Sequence, residues 1–522
     1  MQYHLLITLP IYILLHVGLF GVFRKAGEAG WKAFVPGLNL YVWMQIIGRP
    51  TWWMIWFLIP VVNFIMGIGI VLDMVRSYNK HRFVDQALAV LFPYFYFIYL
   101  GFNKKDEYQG KWQELAETKT LTKSPMREWL DAILFAGTAA LIIRTLLIEA
   151  FMIPTTSMEG SLLAGDFLFV SKFHYGIRLP QAPLSFPFVH NTLPLTKGTK
   201  SYLPVELPYS RLPGIKHVQR NEIVVFNYPD DDRNPDVPEL GKINITSMKQ
   251  NYIKRCVAVA GDSLEIRAGH IFINGKPGWE SENMQTSYIA GEIGIKVLKK
   301  EGFRANYFKG GGADPNNNAQ GIDMNPLTRQ PMGAGSSHWV LHMNATKFAE
   351  MKSKYSGTKF EPLLDKPLPE KPRNINVAAS LLTLRKGGLK ELIYPKVPGL
   401  TNWSKDNFGP IYLPKKGVTV KLDPHSLLMY EKIIDVYEKH DLDVSADGTI
   451  KIDGKVTTEY TFAMNYYWMM GDNRHASLDS RFWGYVPEDH VIGRPWFVLF
   501  SWEEGPRWSR FFRPISSWEP GS

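Results

Sequence analysis

The sequence predicts N-terminal transmembrane α-helices followed by a mainly β domain with a large inserted α+β subdomain. Three observations carry this. Apolar runs of bilayer length crowd the first 153 residues. From Pro154 onward the texture changes to short alternating runs broken by Gly, Pro and Asn-Gly. Two near-copies of one hairpin pattern are then separated by roughly 170 residues of less regular sequence, long enough for a subdomain.

Composition sets the limits. The 522 residues leave room for two or three domains. The formal charge is +10, yet there is no arginine-rich tract or nucleic-acid reader motif, so nucleic acid is not expected as a partner. Basic loops facing anionic lipid account for the charge. The single cysteine, Cys256, excludes an intrachain disulfide.

Residues 3–23 form the first apolar run. They lack the basic start and the small-residue cleavage site of a signal peptide, and read as a retained anchor. Residues 33–47 are interrupted by Pro36, Gly37 and Asn39 and read as interfacial or re-entrant, not spanning. Residues 52–75 and 84–102 are the second and third spans, and 129–153 the fourth. Lys104, Lys105, Lys111, Lys119, Lys123 and Arg127 place the loop before the fourth span in the cytoplasm. The fourth span then delivers the chain to the outer face. Arg76, Lys80 and Arg82 run against that orientation. Arg144, within the fourth span, is given no catalytic role.

The expected domains follow: 1–126, a bundle of about three spans with a cytoplasmic loop; 127–153, the last span; 154–280, the first part of a β core; 281–448, the insertion; 449–522, the second part of the core and the tail. Residues 222–228 and 251–259 read as strands. Asn274-Gly275 and Asp453-Gly454 mark the two type I′ hairpins. Their likeness raises the idea that the insertion entered between copies of one hairpin. Within the insertion, Asp423-Pro424 should cap a helix running to about His440. The glycine-rich loop 310–321 fits no phosphate-binding fingerprint and reads as surface. Residues 365–372 read as a proline-rich linker.

Three segments carry chemistry. Residues 153–172 read IPTTSMEGSLLAGDFLFVSK, 252–262 read YIKRCVAVAGD, and 469–486 read MMGDNRHASLDSRFWGYV. In this order, after an apolar span, they resemble bacterial type I signal peptidases, membrane-anchored serine endopeptidases with a Ser/Lys dyad. The resemblance covers about 127–280 and 449–500. The added membrane bundle and the insertion resemble the enlarged form of Bacteroidetes-type bacteria. It implies a periplasmic catalytic domain on the outer face of the inner membrane.

By this resemblance Ser157 is the nucleophile and Lys254 its general base. The chemistry agrees, because a serine hydroxyl needs a base and only a neutral, desolvated lysine can be one. Ile253, Val257 and Val259 are candidates for the apolar wall around it. Ser477 is implied to orient the lysine, with Asp479 and Arg481 as a supporting pair. Thr155 is implied to join the Ser157 backbone N–H in an oxyanion hole. Phe151, Ile153, Met158, Leu162, Tyr252 and Ile253 are implied to line shallow pockets for an extended precursor with small residues one and three positions before the cut. No cofactor and no metal are expected. The expected partners are secretory precursors, the lipid bilayer and the secretion translocon. Thr156, Gly160, Val259-Ala260 and His475 depart from the common family residues.

Other readings compete. Ser157 alone is a hydroxyl after a helix, and Lys254 alone is a strand-edge lysine. Cys256 is a buried structural thiol or a nucleophile without a histidine. His475 and Asp479 offer a Ser-His-Asp triad, with no nucleophile elbow. His174, His190 and His217 lack metal-ligand spacing. Asp230-Asp231-Asp232 reads as a solvated turn. The run 507–513, RWSRFFR, fits a β domain lying on a membrane. A soluble Ser/Lys self-cleaving protease and a catalytically silent membrane scaffold remain as alternative functions.

Overall fold

The computed structural model describes residues 2–58, 62–118, 137, 140–141, 143–229, 245–303, 339–367, 377–385 and 393–520. Gaps fall at 183–184, 187–188, 190–191, 194–195, 197–198 and 203–204, and at 292, 302, 398, 446 and 504. The chain divides into two units, Met1–Ile142 and Ile143–Ser522.

In the first unit, helix Gln2–Lys25 packs on helix Pro93–Phe102. Glycines make the approach possible: a methyl on Gly21 would lie 2.9 Å from the backbone of Gly101. Lys25 Nζ donates to the carbonyls of Leu100, Asn103 and Asp106 at 2.7, 2.6 and 2.8 Å. It thereby satisfies groups that a helix end leaves open.

The expected spans are not matched here. The second run divides into a 3₁₀ segment, Thr51–Leu58, and a helix, Val62–Ser77. The third breaks before Pro93, which cannot continue a preceding helix, into Phe83–Leu91 and Pro93–Phe102. At nine and ten residues each is about half the length a bilayer needs. Among the described residues no helix is long and apolar enough to cross a membrane.

Residues 129–136, 138–139 and 142 of the fourth run lie outside the described residues. Its end is not helical to Ile153: Ile148–Met152 is a β-strand. It pairs antiparallel with Asp166–Ser171, from Ile148 opposite Ser171 to Met152 opposite Phe167. Hydrophobicity alone does not distinguish a short buried strand from a helix, and here the cross-strand partner decides.

That hairpin opens the eight-stranded sheet of the second unit. Its order is Ile148–Met152, Asp166–Ser171, Val491–Ser501, Ile223–Asn227, Asn251–Ala258, Tyr466–Met470, Val486–Pro487, with Arg513–Pro514 added to Val491–Ser501. Late strands therefore sit between early ones, and the distant motifs meet.

Both hairpins turn as expected, with positive φ at Asn274 and Gly275 and at Asp453 and Gly454. They lie in separate sheets, so the idea of one duplicated hairpin fails. The insertion is not free-standing either. Its strand Phe408–Tyr412 pairs with Ser263–Arg267. Its helix Pro424–Lys432, capped by the Asp423 carboxylate as predicted and closed further by Ser426, buries Leu427 and Leu428 in one core with Val257, Leu264, Trp468 and Tyr485. After Lys432 the helix widens to a π-helical turn, Ile433–Tyr437, so it ends just short of His440. The loop 310–321, residues 368–372 of the linker, and Asp230 to Asp232 lie outside the described residues.

Candidate active site

Ser157 sits in the turn between the first two strands of the large sheet. The turn is closed by Ile153 N–H donating to Asp166 O at 2.8 Å and Gly165 N–H to Ile153 O at 2.9 Å. Met158 and Leu162 point into an apolar cluster with Ile153, Leu168 and Val225 and fix the turn from below. Gly160 has φ +97°, and the Asn283 carbonyl occupies the place of a side chain. A proline there, with φ fixed near −65°, does not fit this turn, so the departure from the family pattern has a local cause.

Lys254 comes from strand Asn251–Ala258. Its Nζ is 2.6 Å from Ser157 Oγ and 2.9 Å from Ile253 O. The lysine is 3% exposed and the serine 8%. Burial pushes the Lys254 ammonium down to about 8, against the opposing pull of the Asp479 and Asp472 carboxylates. The Tyr252 ring centroid lies 5.4 Å from Nζ. The wall expected from Ile253, Val257 and Val259 is thus not the arrangement found. Ile253 contributes its carbonyl, while Val257 and Val259 pack in two other clusters.

The third segment follows strand Tyr466–Met470, which pairs with the lysine strand. Asn473 N–H donates to Ser157 O at 3.1 Å. Asp479 accepts from Arg481 Nε and Nη2 at 2.9 and 2.8 Å and from Gly471 N–H at 3.1 Å. Burial alone raises a carboxyl, but Arg481 outweighs it and holds Asp479 below the usual range. Ser477 differs from the expectation. Its Oγ is buried beside Gly471 and makes no hydrogen bond to Lys254; its hydroxyl instead helps to lower Asp479.

Thr155 Oγ1 lies 3.3 Å from Ser157 Oγ, and among the described residues the Ser157 N–H meets no acceptor. Five of the six pocket residues, Phe151, Ile153, Met158, Leu162 and Ile253, gather in one cluster. Tyr252 does not join them. It points to the other face, as alternate strand residues must, and stacks on Tyr228 at 4.7 Å between centroids.

His475 forms no triad. Ser287 N–H donates to its Nδ1 at 2.9 Å, which leaves the proton on Nε2, and Nε2 donates to the two Asp406 oxygens at 2.9 and 3.0 Å. Cys256 is buried and its Sγ faces Ala258 O; burial pushes the thiol well up, away from the reactive thiolate. His190 lies outside the described residues.

Two elements of the site left no separable signal in the sequence. Arg255, on the opposite strand face from Lys254, holds Asp472 through Nε and Nη2 at 2.7 and 2.6 Å, and Ser161 Oγ donates to the same carboxylate at 2.6 Å. From the tail, Arg510 Nε donates to Asp166 Oδ1 and Nη2 to Ser161 O, both at 2.9 Å. Arg507, whose Nη1 donates to Ala164 O at 2.7 Å, and Arg510 therefore brace the turn that carries Ser157, while Trp508 and Phe512 stay 72% and 68% exposed.

Residues 126–312 and 420–500, just over half the chain, match the family described as signal peptidase, peptidase S26. The chain belongs to this signal peptidase family. Similar proteins include a signal peptidase I of Rickettsia typhi, 31% identical over 180 residues, 34% of this chain and 54% of that one. A signal peptidase I of Rickettsia massiliae is 32% identical over 183 residues, 35% of this chain and 54% of that one. One of Buchnera aphidicola is 24% identical over 367 residues, covering 70% and 71%. The chain spans about half the length of the two rickettsial relatives. Residues 31–111, in the first unit, match a family of unknown function, DUF5684. The signal peptidase match holds Ser157, Lys254, Ser477 and Asp479. Its interruption at 313–419 holds Asp365, Tyr394 and Asp406.

Proposed function

We propose that this chain is a serine endopeptidase that removes N-terminal signal peptides from secretory precursors, with Ser157 as nucleophile and Lys254 as general base. The observation that carries the reading is the 2.6 Å approach of a buried lysine amine to the serine hydroxyl. A buried ammonium is costly, so the neutral amine is accessible near neutral pH. It donates to Ile253 O and offers its lone pair to the Ser157 proton. Ser157 Oγ then attacks the scissile carbonyl. Thr155 Oγ1 and the Ser157 N–H stabilise the oxyanion. The new ammonium returns its proton to the leaving amine, and Lys254 next activates the water that opens the acyl-enzyme. Arg481 neutralises Asp479, which otherwise would draw the lysine back to its charged form.

The precursor adds as an extended strand, with Phe151, Ile153, Met158, Leu162 and Ile253 forming its apolar floor. The deep burial of Met158 and Leu162 leaves little depth there, which favours small side chains. Tyr252 serves the lysine wall instead.

We place the enzyme on the outer face of a bacterial inner membrane, next to the secretion translocon. Exposed Trp502, Trp508 and Phe512 support lipid contact by the second unit. Exposed Phe83, Leu88, Phe95 and Phe102 support it for the first, which we read as the membrane anchor. The 313–419 break in the family match fits an enlarged form.

Cleavage of a precursor peptide ending its signal in Ala-x-Ala tests the reading. Wild type should cut it, and Ser157→Ala and Lys254→Ala should not. Cleavage by Ser157→Ala, or none by folded wild type, contradicts it.

A further inference from the structure

The loop 471–481 carries three contacts the site depends on: Asn473 to the Ser157 carbonyl, Asp472 to Arg255, and Asp479 to Arg481. It runs from the end of strand Tyr466–Met470 into the first turn of the short helix Ser480–Trp483, and 471–479 belong to neither, so side-chain bonds must hold much of its shape. One of these bonds comes from the inserted segment. Asp406 and His475 have side chains 2% and 3% exposed. Both Asp406 oxygens accept from His475 Nε2, and Oδ2 also accepts from Asp365 N–H at 2.8 Å. Both ring nitrogens of His475 are used, which fixes its tautomer and its plane.

The same segment reaches the far end of the loop. Lys405 O accepts from Arg481 Nη1 at 3.3 Å, and Tyr394 N–H donates to Arg481 O at 2.8 Å. A buried carboxylate is tolerated only when it is paired and satisfied, and this one is spent on the loop. His475 falls inside the family match, while Asp406 falls in its interruption.

The geometry points to Asp406 and His475 as a positioning pair, through which the inserted segment sets the loop that holds the Ser157 backbone. This rests on the proposed peptidase function. Neither residue touches the reacting atoms. Asp406→Ala and His475→Ala are each expected to lower kcat roughly 10- to 100-fold, with KM within about twofold. The double variant should be no worse than either single one, since both break one contact. His475→Gln and Asp406→Asn keep a donor and an acceptor and should recover most of the rate.

A kcat equal to wild type, loss that only tracks the unfolded fraction, additive losses, or no recovery in the conservative variants would overturn the pair. Hydrogen exchange reports on the loop without any cleavage. Exchange across 471–481 should be faster in Asp406→Ala than in wild type, and unchanged exchange overturns the inference. If wild type cuts no precursor but exchange responds, the peptidase reading fails while the structural coupling stands.

Discussion

Arg255 and Asp472 form a two-pronged ion pair with both side chains 2% exposed, joining the Lys254 strand to the loop that holds the Ser157 carbonyl. Burial by itself raises a carboxyl, yet Arg255 keeps Asp472 below the usual range. Asp472→Ala leaves the guanidinium buried without its carboxylate, with Asn221 O still accepting from Nη1. It should cost about 3–5 kcal/mol of stability, read from denaturant unfolding. A loss below about 1 kcal/mol, the size of a surface pair, would mean that water reaches Arg255.

Gly471 is a second constraint. A methyl there would run into Ser477 Oγ and the Ser157 carbonyl. Gly471→Ala should displace Ser157 and, if Ser157 is the nucleophile as proposed, lower kcat by about 100-fold, the scale of a 1 Å misplacement. A wild-type kcat would show that the loop yields at no cost.

Thr155 tests the oxyanion hole. Thr155→Val keeps the shape and removes the hydroxyl, so kcat should fall by about 10²–10³ with KM little changed. Thr155→Ser should stay close to wild type. Equal activity of the Val and Ser variants would remove Thr155 from the mechanism.

Lys254, the proposed base, should also cost stability. Its folded pKa is lowered from 10.5 to about 8. Between those values the unfolded chain binds the extra proton, so stability rises with pH across that interval. The penalty is complete below about pH 8 and gone above about 10.5. Lys254→Met should therefore be inactive but more stable at pH 7, by about 3 kcal/mol at 1.36 kcal/mol per pKa unit, with the difference shrinking toward pH 10. Thermal melts of both proteins across pH measure this.

Local rules made much of the second unit readable. Strands Ile223–Asn227 and Asn251–Ala258, both Asx-Gly turns and the Asp423 cap each depend on neighbours in sequence. The strand Ile148–Met152 was hidden because an apolar run fits a helix equally well until its partner is known. Non-local pairings were hidden too. Arg255 and Asp472 are 217 residues apart, and His475 and Asp406 are 69 apart, with no spacing that announces either pair. Ser157, Lys254 and Asp479 were legible only because three separate segments resemble one family in the right order. For Ser477 the resemblance is the sole source of a role, since among the described residues its Oγ makes no hydrogen bond to Lys254.

The most direct test is the pH dependence of kcat/KM for wild-type cleavage of an Ala-x-Ala precursor peptide. Only neutral Lys254 can accept the Ser157 proton. The rate should therefore rise tenfold per pH unit at low pH and level off through an apparent pKa of about 8. Lys254→Ala should show no such limb and no cleavage. A limb near the ordinary histidine value, about 6.5, or cleavage surviving in Lys254→Ala, would contradict the lysine as base.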